Sequence, residues 1–356
     1  MLITARLGRL RQQFADFKIE AFLVSQPENL YYLSGCEGLE GYLLITLDQA
    51  VIVTDFRYIE QAQRQSPEYS LFRISGKMAD WLPALLQGRR INTLGFESSF
   101  VTVSLFEQIG SILKDLPASP TLIPVSGLVE NLRMIKDLEE IRFIEKAASI
   151  TDAALDYVKT VLKPGLTEKQ LAWMIEKYMR EHDSQSVPFE LIVASGPNSA
   201  LPHARPSDRA IKTGEPVVVD IGSRYNFYGS DLTRTFITGP PDDKFKNIYE
   251  VVLRAQRNAI ENIRPGMTGA EADVLARQVI TEAGFGESFG HGLGHGIGLV
   301  THEKPHISLT ANDILVDGMV FTIEPGIYIP GWGGVRIEDD AVIEKGKVRI
   351  ISSAKK

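Results

Sequence analysis

The sequence predicts an α/β domain followed by a second domain that contains an internal repeat. Three observations lead to this prediction. Short β-rich runs alternate with helix-like stretches up to about residue 125, a long segment with helical periodicity follows, and two similar units lie about 101 residues apart. The 356 residues are 44% hydrophobic and 23% charged, which is typical of a globular protein of roughly two domains.

The first domain is predicted to comprise residues 1–128. Its β-rich runs are AFLVS, GYLLITL, AVIVTD, TLGFES and TLIPV, and helix-like stretches such as 101–116 lie between them. The N-terminal segment MLITARLGRLRQQFADF carries charges every few positions and has no unbroken apolar stretch. We therefore expect neither a signal peptide nor a membrane anchor there.

The second domain, residues 129–356, is predicted to begin with a long helix. The periodic segment starts at Lys136, and the spacing of Asp137 and Glu140 is typical of a capping box. In such a box each side chain accepts a hydrogen bond from the backbone of the other residue, which defines where the helix begins.

An internal repeat follows in the second domain. Each unit has a helix that ends in Pro-Gly-x-Thr, a second helix, and a strand that ends in an acidic residue. The strands GEPVVVD and GMVFTIE end at Asp220 and Glu324, and a further acid follows each of them, at Asp231 and Glu338. This spacing predicts two strand pairs that are related by a pseudo-twofold axis and that deliver four carboxylates to one centre.

Four carboxylates that face one small volume require cations. Each pair at about 4 Å costs on the order of 4 kcal/mol at an effective dielectric of 20. Strand alternation places Thr233 near Asp231 and Arg336 near Glu338, but an arginine supplies only one charge. A single acid is most often a solvated turn residue. Because these acids fall at equivalent points of a repeat and at the ends of apolar strands, we predict a pair of divalent ions, which cancels all four charges.

The histidines are concentrated near the second pair of acids. Four of the six lie between residues 291 and 306 in HGLGHGIGLVTHEKPH, where alternate glycines disfavour a helix. His291 and His295 project from this segment, and we expect His295 to be a metal ligand. One imidazole with several carboxylate oxygens favours Mn, Fe, Co or Zn. A pair of such ions generates hydroxide near neutral pH, which predicts a hydrolase.

The motifs VVVDIG, SDLTRT, HGLGHGIGL with HEKP, TIEPG and VRIED resemble, in order and spacing, those of the pita-bread metallopeptidases. ENLYYLSGCEG, TDFRYIEQA and MIKDLEEIRFIEKA look like the prolidase and aminopeptidase P branch, whereas methionine aminopeptidases lack this N-terminal domain. The resemblance implies an α/β N-terminal domain plus an α+β pita-bread C-terminal domain. It also implies two divalent metal ions per chain, with Mn first and Co, Zn or Fe as alternatives.

The resemblance assigns a ligand to each of the five motif positions. It implies that Asp220 binds one metal ion and that His295 and Glu324 bind the other. Asp231 and Glu338 are implied to bridge both ions, and Glu324 is also implied to be the proton shuttle.

Further residues acquire roles in the same way. His203 falls where the family has a histidine that contacts the substrate, and His302 falls where it has one that stabilises the intermediate. Thr233 and Arg336 look like residues that orient the ligands. His291 is expected to support a carboxylate of the metal site.

Two positions bear on assembly and specificity. The family typically forms homodimers in which the N-terminal domain approaches the partner's active site, so Arg57 is a candidate for that contact. His306 occupies a position where prolidases that cut only dipeptides often carry an arginine that holds the substrate's carboxylate. Because histidine holds a carboxylate less firmly than a bidentate guanidinium does, peptides longer than two residues are favoured.

The expected function is hydrolysis of the Xaa-Pro bond at the N-terminus of small proline-containing peptides. A strict Xaa-Pro dipeptidase is the alternative within the same class. A metal-free relative, either a creatinase-like hydrolase or a binding module, is the alternative from another class, and the five filled ligand positions argue against it. Methionine aminopeptidase activity is a third hypothesis, and the presence of the N-terminal domain disfavours it.

Composition excludes some partners. A formal net charge of −7, with Lys355-Lys356 as the only basic cluster, disfavours binding to nucleic acid or to an anionic membrane. The one cysteine, Cys36, cannot form an intrachain disulfide and fits a reducing compartment, so we expect a cytoplasmic protein.

Overall fold

The computed structural model describes residues 2–356, and the chain divides into two compact units, Met1–Arg133 and Met134–Lys356. The strands of the first unit are β1 (Ala21–Val24), β2 (Gly41–Thr46), β3 (Ala50–Thr54), β4 (Ser70–Arg73), β5 (Thr93–Glu97) and β6 (Thr121–Val125). Its helices are α1 (Leu2–Gln12), α2 (Pro27–Ser34), α3 (Ile59–Gln65), α4 (Met78–Leu86), α5 (Val103–Lys114) and α6 (Leu128–Met134).

The strands of the first unit form one mixed sheet in the order β4-β3-β2-β1-β5-β6. The predicted β-rich runs are β1, β2, β3, β5 and β6, and the continuously apolar β1 and β3 are buried along their whole length. The sheet and its helices confirm the predicted α/β class, because parallel pairs such as β1 with β5 are joined through helices.

The second unit contains longer helices and several small sheets. The helices are α7 (Leu138–Val161), α8 (Glu168–Glu181), α9 (Asp243–Asn262) and α10 (Gly269–Glu282). The strands are β7 (Ile192–Ser195), β8 (Pro216–Ile221), β9 (Arg224–Tyr225), β10 (Tyr228–Gly229), β11 (Leu232–Ile237), β12 (Gly294–Gly296), β13 (Glu303–Ile307), β14 (Val320–Ile323), β15 (Gly326–Ile329), β16 (Gly333–Arg336), β17 (Asp339–Glu344) and β18 (Lys347–Ile350).

Local chemistry explains where the helices of the repeat begin. Thr167 is the N-cap of α8 and Thr268 is the N-cap of α10, and each forms a capping box with the residue three positions later. The glycines of the two Pro-Gly-x-Thr segments, Gly165 and Gly266, have φ angles of 92° and 91°, which other residues adopt only with strain. The second helix of each half of the repeat therefore begins in the same way. The predicted capping box of α7, at Asp137, is also present.

Each half of the repeat has its own apolar core. Helices α7 and α8 pack on the sheet β11-β8-β7, whose inner side chains include Val217, Val219 and Leu232. Helices α9 and α10 pack against strands of the sheet β13-β12-β14-β17-β18, through residues such as Phe321 and Ile323. Both sheets end at the acidic residues discussed next, so burial of these apolar faces positions the site. Across residues 2–356, no helix combines the length and apolar character that crossing a membrane requires.

Candidate metal centre

Neighbouring strands from the two halves bring the predicted carboxylates together. Asp220 lies near the end of β8 and is paired in register with Thr233 of β11, and Asp231 directly precedes β11. Glu324 follows β14 and Glu338 lies between β16 and β17. The halves are joined here by backbone, since the Glu338 N–H donates to the Thr233 carbonyl over 3.1 Å.

Thr233 and Arg336 hold two of the carboxylates in fixed orientations. The Thr233 hydroxyl donates to Glu338 Oε2 over 2.5 Å and accepts a hydrogen bond from Arg336 Nε over 3.1 Å. Arg336 Nη2 donates to Asp220 Oδ2 over 2.5 Å, while its Nη1 donates to the Tyr328 hydroxyl over 2.8 Å. All of these side chains are buried, so water does not compete for these bonds.

The imidazole of His295 lies beside the carboxylates. Its Nε2 is 3.4 Å from Glu324 Oε1 and 3.7 Å from Asp231 Oδ2. The Thr322 hydroxyl accepts from the His295 backbone N–H and donates to Glu324 Oε1, so one threonine positions both residues. Burial lowers the pKa of His295 to about 3, with nearby His302 as a second cause. The ring is therefore neutral at pH 7 and can offer a lone pair to a metal ion.

The site residues that are present fit divalent cations. Asp231, His295 and Glu338 offer ligand atoms that all lie within 4.8 Å of one another. The second oxygen of Asp220, Oδ1, is buried and has no hydrogen-bond partner within residues 2–356. A buried carboxylate oxygen without a partner is costly unless a cation or a proton satisfies it.

The electrostatics point in the same direction. Burial, together with Glu338 and Asp220, raises the pKa of Asp231 well above its ordinary value. Burial and the charges of Glu324 and Asp220 likewise raise the pKa of Glu338. Burial raises the pKa of Glu324 to about 8, although the Arg336 charge opposes this shift. The ionised forms of Asp231, Glu324 and Glu338 are therefore disfavoured without a cation, and bound divalent cations would restore them.

A cavity of about 400 Å³ opens onto these carboxylates. His203 and His302 are exposed residues that line it, together with His291 and Arg336. The ring centroid of His302 is 4.2 Å from that of His295. The cavity therefore joins solvent to the carboxylates along a path that imidazoles flank.

The other predicted site residues lie in different surroundings. Nε2 of His291 forms a hydrogen bond with the Tyr328 hydroxyl over 2.9 Å. The same hydroxyl accepts from Arg336, so His291 is linked to Arg336 through Tyr328 and does not itself contact one of the predicted ligand carboxylates. His306 is exposed, pairs in register with His295, and is absent from the cavity lining among the described residues. Arg57 belongs to the first unit and pairs with Asp55 over 2.7 Å.

Sequence reasoning missed several residues at this centre. Tyr328 lies in the apolar run GIYI, where nothing distinguishes it from a core aromatic residue. Asp340, whose Oδ2 accepts from the Asp231 backbone N–H over 3.1 Å, was indicated only by the extra acids of the run IEDD. Arg205 and Glu190 form an ion pair within the cavity lining, and neither lies in a recognised motif.

Comparison with known proteins identifies the families to which the two units are similar. Residues 142–345 match the family described as Metallopeptidase family M24, and residues 6–135 match the Creatinase/Prolidase N-terminal domain. A Xaa-Pro dipeptidase of Pyrococcus furiosus is 38% identical over 97% of this chain and 97% of its own length.

Solved structures are similar over the same extent. The structure of a Xaa-Pro dipeptidase from Bacillus anthracis superposes with a TM-score of 0.95 at 40% identity and covers 99% of this chain and 98% of that one. An X-Pro aminopeptidase from Thermotoga maritima gives a TM-score of 0.89 at 36% identity, with 98% of each chain covered. These likenesses extend over both units, so they include the N-terminal domain.

Proposed function

We propose, for a chain that belongs to metallopeptidase family M24 and carries a Creatinase/Prolidase N-terminal domain, that it hydrolyses the Xaa-Pro bond at the N-terminus of small proline-containing peptides. The observation that carries this proposal is the cluster of Asp231, His295 and Glu338 at the inner end of the cavity, with Glu324 beside His295. The proline preference is proposed because the similar proteins described above include two Xaa-Pro dipeptidases and an X-Pro aminopeptidase.

Divalent metal ions are the cofactors that membership of this family implies. We propose two ions per chain, with Mn first and Co, Zn or Fe as alternatives. Asp220 would hold one ion, His295 and Glu324 the other, and Asp231 and Glu338 both. When bound, such a pair supplies a nucleophile near neutral pH and stabilises negative charge on the substrate carbonyl oxygen.

The chain's own residues would bind the substrate and move the proton. The nitrogen of an Xaa-Pro bond carries no hydrogen, so it must receive a proton in order to leave as an amine. Glu324 would carry this proton from the attacking water to that nitrogen. His203 and His302, which flank the cavity, would donate hydrogen bonds to the substrate carbonyl and to the tetrahedral intermediate. Arg336 keeps Asp220 in place throughout.

Dipeptidase and aminopeptidase action are two versions of this function. Product analysis by mass spectrometry on Ala-Pro and Ala-Pro-Ala, with Mn²⁺ added to metal-stripped protein, separates them. Cleavage of the dipeptide alone identifies a strict dipeptidase, and release of alanine from the tripeptide identifies an aminopeptidase. Cleavage of neither, with fewer than about two metal ions per chain by atomic absorption, would favour the metal-free class.

We also propose that two copies of the chain associate and that the protein is cytoplasmic. Arg57 is the candidate residue for the contact with the partner's site, and its side chain is 52% exposed. The adjacent Phe56 is 71% exposed, so an apolar side chain is available beside Arg57 for such a contact. The buried and unpaired Cys36 is consistent with a reducing compartment. Sedimentation analysis of the purified protein tests the association.

A further inference from the structure

The cavity has three chemically distinct parts. Carboxylates occupy its inner end, and Phe189, Ile192 and Pro202 supply apolar side chains to its lining. Arg205 and Glu190 also line it, and their side chains are 82% and 62% exposed, so they lie at its solvent edge. An apolar lining of this kind suits a pyrrolidine ring, since a proline side chain has no polar atom.

An Xaa-Pro dipeptide at neutral pH carries one charge at each end. A site that hydrolyses the Xaa-Pro bond must hold the scissile carbonyl at the inner end of the cavity, where the carboxylates that would bind the metal ions lie. The dipeptide's carboxylate is carried by the proline on the far side of that bond, so it lies nearest to the solvent edge. A cation at the solvent edge would complete the recognition of a dipeptide.

Arg336 and Arg205 are the permanently charged cations in the lining, as far as residues 2–356 go. Arg336 is only 3% exposed, and its nitrogens are bonded to Asp220, Thr233 and Tyr328, so it has no capacity for a ligand at the edge. Arg205 makes one ion pair, from Nε to Glu190 Oε2 over 3.1 Å. Its Nη1 and Nη2 donate to none of the side chains that the structure describes, so one edge of the guanidinium faces solvent.

We propose that Arg205 binds the C-terminal carboxylate of the substrate and so makes this site prefer Xaa-Pro dipeptides. The inference rests on the proposed Xaa-Pro peptidase function. The free edge of a guanidinium can accept a carboxylate through two parallel hydrogen bonds. Glu190 holds Arg205 in place but also competes with the substrate for it. Arg205 thus fills the role for which sequence reasoning considered His306.

The binding experiment uses metal-stripped protein, so that no peptide is consumed. Calorimetric titration with Ala-Pro and with Ala-Pro amide measures the contribution of the carboxylate directly. We expect the wild-type chain to bind Ala-Pro roughly tenfold more tightly than the amide, and Arg205→Gln to bind both equally. Arg205→Lys should retain part of the preference, because lysine keeps the positive charge but cannot form the two parallel hydrogen bonds of a guanidinium.

Two further variants sharpen the test. Glu190→Gln should tighten the binding of Ala-Pro, since it removes the competing carboxylate. Arg205→Gln should change the affinity for Ala-Pro in the opposite direction. Arg180→Gln is the matched control, because Arg180 forms a comparable surface pair with Glu176 on α8 and should leave the preference unchanged. Equal affinity of the wild type for the two peptides, or an unchanged preference in Arg205→Gln, would overturn the inference.

Kinetics on the Mn²⁺-loaded protein distinguish this inference from the proposed function. If both hold, Arg205→Gln raises KM for Ala-Pro roughly tenfold, leaves kcat nearly unchanged and leaves KM for Ala-Pro amide unaltered. If the loaded wild type cleaves no Xaa-Pro peptide, the proposed function fails, whereas the calorimetric preference still decides the role of Arg205. If KM for Ala-Pro does not change in the variant, the inference fails and the function stands.

Discussion

Lys136 and Glu303 form an ion pair with 2.8 Å between Nζ and Oε1, and their side chains are only 1% and 8% exposed. Lys136 lies just before α7, and Glu303 begins β13 directly after His302. The pair therefore fastens the turn that carries His302 to the start of the longest helix of the second unit. A buried ion pair is costly to break, because the remaining charge stays out of water.

Lys136→Ala should lower the free energy of unfolding by about 3 kcal/mol, because Glu303 loses its buried lysine partner. Urea unfolding followed by circular dichroism measures this change. Lys159→Ala is the matched control, because Lys159 pairs with Asp156 while the two side chains are 39% and 66% exposed, and its loss should cost less than about 1 kcal/mol. Equal losses in the two variants would contradict the role given to the buried pair.

The ion pair between Lys136 and Glu303 illustrates which features could and could not be predicted from the sequence. The helix that follows Lys136 was predicted, since periodicity and the capping box at Asp137 are local signals. The pairing of Lys136 with Glu303 was not predicted, because the two residues are 167 positions apart and no periodic pattern links them. The acids of the repeat were predicted because a sequence pattern does link them: Asp220 and Glu324 stand at the ends of apolar strands at equivalent places, and a further acid follows each. Arg205 stands in a loop without such a pattern, so only the folded cavity reveals it.

Thr233→Val should weaken metal binding by about 10- to 100-fold, because Glu338 loses the hydroxyl that orients it. The size of the side chain is nearly unchanged, so the effect reports on the hydrogen bond and not on packing. Titration of metal-stripped protein with Mn²⁺ by calorimetry gives the affinity. Thr233→Ser keeps the hydroxyl and should retain most of the affinity, and a serine variant as weak as the valine variant would argue for a packing role.

Glu338→Gln and Asp231→Asn should each abolish peptidase activity, because each would weaken the binding of both metal ions. Atomic absorption on the dialysed proteins should show fewer metal ions per chain than in the wild type. Circular dichroism should show that the fold survives, since the apolar cores of the second unit do not depend on the metals. Near-normal turnover in either purified variant would refute the bridging assignment.

Acid should destabilise the chain partly through His291. Burial lowers the pKa of His291 to about 4 from an ordinary value of 6.5, with the Arg336 charge as the second cause. The folded state keeps the ring neutral while the unfolded chain takes up a proton. Stability from this source is therefore complete above pH 6.5 and is lost as the pH falls toward 4, up to about 3 kcal/mol.

The variant His291→Gln isolates this contribution. At pH 7 it should be less stable than the wild type, because the hydrogen bond to Tyr328 is altered. Urea unfolding of the metal-stripped proteins between pH 7 and pH 4 should show this difference shrinking and then reversing. A difference that stays constant across the range would mean that His291 titrates alike in both states.

The hydrogen bond between Thr233 and Glu338 spans 105 residues, and that between Asp231 and Asp340 spans 109. During synthesis on the ribosome, the strands that carry Asp220 and Asp231 emerge long before those that carry Glu324 and Glu338. A fragment truncated before residue 295 therefore lacks three of the five proposed ligands, and one truncated before residue 338 still lacks Glu338. With the proposed ligand assignment, the complete metal centre forms only after Glu338 has been synthesised, so an incomplete chain should bind metal ions weakly.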